Sequence, residues 1–397
     1  MNKRQHRQKG AVSIFIVIFA ALLITTITVV FVRLMIQNQN QATANDLSRS
    51  ALDSANAGVE DAKRLLVKYY DSKCDENPGS SSCLSDSTNI NGKKCNTIQS
   101  SGILGASTGS EVKIKTNTED AQLNQAYTCV KITLDTDDYI ASLRSGESKL
   151  IHLKGVSGFN TIELQWYDER NYQSAQTSGV SAALNLADAP IFETTMHLPT
   201  QSSWPKMRPA LMRLQLLQFG SSFNLSDFDS EQHNASLFLM PSNFSENTRS
   251  NFSTNVRMTP SDILQPASCK TAFPSTAYTG GYACSAIIGR PGGANMDAYL
   301  RVLPIYNTQS VTFRVCLRKC DDGGSIKPVK FDGVQPEVDS TGRASDYFRR
   351  VKSRVEFVGG KMPNIDAAVD ITGSLCKVFE VGESDTDFKA NSDLCTP

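Results

Sequence analysis

Histidine is scarce, Cys-x-x-Cys pairs are missing, and neither sign of charge is in excess. The chain of 397 residues has 4 His, at His6, His152, His197 and His233, too few for a His-rich metal site. Its 10 Cys include no Cys-x-x-Cys spacing, which argues against zinc ribbons and for disulfides formed in an oxidising compartment. Lys and Arg number 40 against 40 Asp and Glu, so bulk electrostatics predict no nucleic-acid partner. No G-x-S-x-G, H-E-x-x-H or phosphate loop occurs, and neither catalysis nor a cofactor is expected. Hydrophobic residues make up 40% of the chain, enough for a sizeable core.

Two acidic clusters stand out. Asp135, Asp137 and Asp138 form one, and Asp227, Asp229 and Glu231 the other. Both lack the sixth-position Gly and terminal Glu of a calcium hand, and both read as solvated turns. Asn-x-Ser sequons at Asn224, Asn234, Asn243 and Asn251 fall in an Asn- and Ser-rich stretch where chance accounts for them.

The N-terminus is the most informative region. Lys3, Arg4, Arg7 and Lys9 precede a run from Ala11 to Val32 of 22 residues without a charge, 18 of them aliphatic, aromatic or Ala. That run is long enough to cross a bilayer core as a helix. The basic flank predicts a cytoplasmic N-terminus, with everything after Arg33 outside. All ten Cys fall beyond the run, in agreement with that topology. From Ala11 to Tyr70 there is no Pro and only Gly58, so nothing forces the helix to stop. Ala44, Leu47, Ala51, Ala55, Gly58, Ala62, Leu65 and Tyr69 continue a stripe at steps of three or four. A helix over 11–70 is predicted, about 90 Å long.

Beyond residue 71 the helical period vanishes into a turn-rich segment holding Cys74, Cys83 and Cys95. Strands are predicted over AYTCVKITL, TIELQWYDE, RPALMRLQLLQF, ASLFLMPS, AYLRVLPIY, SVTFRVCL and RRVKSRVEFV. In the last, Val351, Ser353, Val355 and Phe357 alternate with Arg350, Lys352, Arg354 and Glu356. The predicted class is α+β: a long hydrophobic then amphipathic helix packed on antiparallel sheet, with an elaborated, disulfide-rich β outer region. The segments are 1–10, 11–70 (11–32 apolar), 71–189 with a first sheet, and 210–397. Pro190, Pro199, Pro205 and Pro209 make 190–209 either a linker or a crossing loop within one sheet.

A basic leader ending in Gly10, then AVSIFIVIFAALLITTITVVFV, then a half-polar helix resembles a type IV pilin or pseudopilin. The stretch ALDSANAGVEDAKRLL is similar to that of PilX-type minor pilins. The resemblance implies prepilin-peptidase cleavage between Gly10 and Ala11, methylation of the new amine, and other pilin subunits as partners through the helix. It implies residence in the cytoplasmic membrane before assembly and in an extracellular pilus afterwards, with an unknown surface ligand for the outer region. Major pilins carry Glu at the fifth mature position, where this chain has Phe15. A subunit that cannot neutralise an amine ahead of it is expected at the filament tip. The alternative is a signal-anchored surface protein that never polymerises.

Disulfides local in sequence are expected: Cys74–Cys83, Cys269–Cys284, Cys95–Cys129 and Cys376–Cys395, the short loops stabilising by about 2–4 kcal/mol each. Cys376–Cys395 occupies the segment where many pilins carry their disulfide. Cys316 and Cys320 are the remaining candidates, but an extended strand would hold their Cα atoms about 13 Å apart unless a turn follows Leu317.

Overall fold

The computed structural model describes residues 9–74, 83, 90–91, 94–101, 103–104, 111–114, 124–171, 195–196, 204, 208–219, 234–242, 249–252, 264–270, 281–290, 297–307, 309–318, 328–356 and 381–382. The helix α1 runs unbroken over Lys9–Asp71, 63 residues, about 95 Å. Three hydroxyls in its apolar part bond to their own helix: Thr25 to the Ala21 carbonyl at 3.0 Å, Thr26 to Leu22 at 3.0 Å and Thr28 to Ile24 at 2.8 Å. These three threonines therefore carry no unsatisfied donor. Lys73, at φ 51°, ends the helix in a left-handed turn. There the Cys74 amide donates to the Tyr69 carbonyl (3.0 Å) and the Lys73 amide to Tyr70 (2.9 Å). The Cys74–Cys83 disulfide follows at once.

A one-turn helix α2 (Thr97–Ser100) and sixteen strands follow. They are β1 (Val112–Lys113), β2 (Gln125–Thr133), β3 (Tyr139–Leu143), β4 (Lys149–His152), β5 (Thr161–Asp168), β6 (Thr195–Met196), β7 (Leu211–Phe219) and β8 (Asn234–Ser242). Next come β9 (Arg249–Asn251), β10 (Leu264–Cys269), β11 (Tyr282–Gly289), β12 (Asp297–Ile305), β13 (Val311–Leu317), β14 (Glu337–Ala344), β15 (Tyr347–Arg354) and β16 (Val381–Gly382). The chain divides into two compact units, Met1–Ile132 with Val338–Ser353, and Thr133–Glu337 with Arg354–Pro397.

The first unit holds α1 and a four-stranded sheet in the order β1-β2-β14-β15. The buried face of β14 is Val338, Ser340, Gly342 and Ala344, alternating with Asp339, Thr341 and Arg343. Small side chains there bring backbones close. A Cβ at Gly342 would stand 2.2 Å from the Ala55 nitrogen and 2.4 Å from the Ala51 carbonyl oxygen. One at Gly58 would stand 2.4 Å from Ser340 Oγ and 2.9 Å from a Val130 methyl. β14 escaped prediction because its Asp, Ser, Thr and Gly read as a turn. At this strand the need for a small inner face overrides propensity.

The second unit holds a ten-stranded sheet, β3-β13-β5-β11-β10-β8-β7-β12-β4, with β9 on β11. Strands from both sides of 190–209 join it. Alternate residues of strands from both ends of this order, Tyr139 and Phe313 at one and Ile151 and Leu300 at the other, share one core around Trp166. The Trp166 indole nitrogen donates to the Ala210 carbonyl at 3.0 Å, which satisfies the one polar atom that ring buries.

The expectation of an antiparallel sheet needs correction: β8–β10 and β9–β11 pair in parallel. Parallel neighbours need a long return connection, and residues 243–263 between β8 and β10 supply one. All seven predicted strands occur, whereas β3, β4, β10 and β11, shorter or interrupted by Pro266, Ser and Gly, were not predicted. The last predicted strand ends at Arg354, with Val355 buried beyond it. Phe357 lies outside the described residues.

Candidate assembly surface

The two halves of α1 offer different surfaces. From Ile14 to Ile36 the large apolar side chains are exposed, Phe15 at 74%, Phe19 at 73% and Phe31 at 65% among them. This part of the helix is long and apolar enough to cross a membrane, and Arg33 is its only charge. Gly10 and Ala11, between which cleavage is expected, stand in the first turn of α1. Phe15 projects no carboxylate from the fifth position after Gly10, and no charged side chain occurs between it and Arg33.

From Ala51 onward the stripe turns inward. Ala51, Ala55, Val59, Ala62, Leu65, Leu66 and Tyr69 are buried, as is Ser54, whose hydroxyl donates to the Ser50 carbonyl at 2.9 Å. Charged side chains flank the stripe: Lys63 pairs with exposed Glu60 at 2.6 Å, and Arg64 with the partly buried Asp61 at 3.2 Å. Two polar contacts reach α1 from its own unit. The Tyr127 hydroxyl donates to Asp61 Oδ2 at 2.8 Å, and Arg349 Nε donates to Ser48 Oγ at 2.7 Å. Burial, then the Asp61 carboxylate, pushes the Tyr127 phenol well above its ordinary range, so it remains a donor at every physiological pH.

Three disulfides are described: Cys74–Cys83, Cys95–Cys129 and Cys269–Cys284, with Cα separations of 5.5, 4.3 and 4.1 Å. Cys316 is also disulfide-bonded. Cys320, Cys376 and Cys395 lie outside the described residues. Cys269 and Cys284 are directly opposed on antiparallel β10 and β11, and Cys95 lies beside β2, where the Val130 amide donates to its carbonyl at 3.1 Å.

The other candidates have structural partners. Asp138 accepts from Arg314 Nε and from Arg354 Nη2, both at 2.8 Å, so its oxygens hold two guanidiniums. Asp137 lies 3.5 Å from Lys330 Nζ. Among the described residues no group of three or more His, Cys, Asp or Glu is arranged to hold a metal ion. His152 stacks on Tyr299, with centroids 4.5 Å apart. His197, His233, Asp227, Asp229, Glu231, Asn224 and Asn243 lie outside the described residues; Asn234 begins β8 and Asn251 ends β9.

No protein-family model matches this chain, and no curated protein or solved structure is significantly similar to it.

Proposed function

We propose that this protein is a minor subunit of a type IV pilus or related filament. In this reading the exposed apolar half of α1 packs among other subunits, while the outer half lies along its own small sheet. The observation that carries the proposal is the change of surface along one unbroken helix. Large exposed aliphatics at Ile14–Ile36 give way to a buried Ala stripe from Ala51. Lipid-exposed anchoring needs only the first half; a head held at a fixed angle on a shared helical core needs both.

The subunit enters the cytoplasmic membrane with Lys3, Arg4, Arg7 and Lys9 inside, as the charge pattern favours. A prepilin peptidase removes residues 1–10, and Gly10 leaves space for that enzyme at the membrane face. The new Ala11 amine is costly to bury without a carboxylate. Phe15 supplies none, so the subunit accepts a following neighbour's carboxylate and offers none ahead, which suits a low-copy tip position. The outer β region then faces the surroundings, where it contributes to priming, assembly and adhesion rather than to catalysis.

N-terminal mass spectrometry on the membrane fraction tests this. The expected result is a chain beginning at Ala11 with an N-methyl group. A chain beginning at Met1 or at Asn45 would defeat the proposal, and the former would favour a signal-anchored surface protein that never polymerises.

A further inference from the structure

On the larger sheet, β12, β7 and β8 lie side by side. Their registers set Leu303 opposite Arg213 and Arg213 opposite Phe238; one step along, Arg301 stands opposite Gln215 and Gln215 opposite Ser236. Leu214, Leu237 and Val302 point into the core, so Arg213 and Arg301 share the other face, one diagonal step apart, about 7 Å. Both are half-buried.

Aromatic rings hold this face. The Arg213 guanidinium lies 5.7 Å over the Phe238 ring, and Arg208 lies 4.9 Å over Trp204, which itself contacts Tyr306 at 5.3 Å. The ring quadrupole attracts a guanidinium without using its N–H donors. Arg301 Nε donates to Ser148 Oγ at 3.0 Å. Among the described residues neither Arg213 nor Arg301 forms an ion pair. In sequence, the acid of β12 is Asp297, four residues before Arg301, and β7 and β8 contain none. Burial, with the Arg301 charge added, presses the Arg213 pKa below its ordinary value. Two like charges on one face out of full solvent are costly until oxyanions neutralise them.

We propose that this face of β7 and β12 binds an acidic oligosaccharide, whose successive carboxylates meet the guanidiniums of Arg213 and Arg301, the one held toward β8 and the other toward β4. Ser236 stands on the same face to meet a hydroxyl, and the half-buried Leu303, Ile305 and Tyr306 suit the C–H face of a sugar ring. One two-cation locus matches isolated carboxylates, whereas a nucleic-acid backbone demands a long row of cations. The site lies within the second unit and does not depend on the filament reading.

The test is calorimetric titration of the full chain in detergent micelles at low salt with an oligogalacturonate octamer. Its methyl-esterified, neutral form and a 12-nucleotide single strand serve as comparison ligands. The acidic octamer is expected to bind at least about 10-fold more tightly than the neutral one, with Arg213→Gln and Arg301→Gln each weakening it about 10-fold or more. Both variants are expected to melt within a few degrees of wild type, since Arg213→Gln loses the Phe238 contact and Arg301→Gln the Ser148 hydrogen bond while each relieves a like-charge contact. Equal affinity for the ester, tighter binding of the oligonucleotide, no binding of the octamer, or unchanged affinity in both variants would overturn the proposal. So would a melting temperature well below wild type in either variant, which would make these arginines structural.

Discussion

Along α1 the inner half, Ile14–Ile36, is built mainly of Ile, Leu, Val and Phe and is exposed; in the outer half one stripe is buried, small at Ala51, Ser54, Ala55, Gly58 and Ala62 and larger at Leu65, Leu66 and Tyr69. Hydrophobicity alone would rank the two the wrong way round for burial. Side-chain size resolves the contrast. Small residues let a neighbouring backbone come close, so that a Cβ at Gly342 would stand 2.2 Å from the Ala55 nitrogen, whereas the exposed large aliphatics of the inner half wait for a partner or a lipid.

The largest effect should come from closing that approach. Gly342→Val places side-chain atoms against the Ala55 and Ala51 backbone, which cannot yield, and should destabilise the first unit by about 3 kcal/mol or more. Urea unfolding of the detergent-solubilised protein measures it. A near-neutral result would dissolve the contrast between the halves.

Leu65→Ala and Leu23→Ala make the same chemical change on the two halves. Leu65 is fully buried, so its truncation should cost about 2–5 kcal/mol. Leu23 is 53% exposed, and its truncation should leave the unfolding midpoint of the outer region where it was. Equal losses would mean that the inner half is docked too.

A smaller loss is expected for Tyr127→Phe, which removes the hydroxyl from Asp61 and should cost about 1–2 kcal/mol. The comparison with Asp61→Asn sharpens it, because a neutral acceptor retains part of the bond.

The smallest effect is a pH dependence confined to the first unit. The Arg350 guanidinium beside Asp339, helped by Lys352 and Lys131, holds its carboxyl below the ordinary carboxylate value, and Arg343 does the same for Glu111. Each folded-state pKa lies below the unfolded one. The stabilisation is therefore complete above the unfolded value, about 4, and fades as pH falls through the folded value. Melting followed from pH 6 down to pH 3 should show a loss that Asp339→Asn reduces. An acid limb unchanged by that substitution would assign the loss elsewhere.

The long helix was legible in the sequence because Ala11–Tyr70 combines one periodicity with the absence of Pro. The strong strands were legible for their β-branched and aromatic alternation, as in TIELQWYDE, where Ile162, Leu164 and Trp166 face the core. β14 was not, since its buried positions Val338, Ser340, Gly342 and Ala344 include only one of the large or β-branched side chains by which strands are recognised. Parallel pairing at β8–β10 was equally invisible: register and direction depend on where a distant connection returns, which no local pattern encodes. Arg213 and Arg301 lie 88 positions apart, and only the pairing of β7 with β12 makes them neighbours.

Photocrosslinking tests the central claim most directly. A benzophenone amino acid would be placed at Phe15, Phe19 or Phe31 on the inner half and at Leu52 or Val67 on the outer half. The account predicts crosslinks from the inner positions to other filament subunits, recovered in sheared extracellular fibres, and none to those subunits from Leu52 or Val67. Recovery of the chain solely in membranes, with inner positions joined only to lipid, would contradict it.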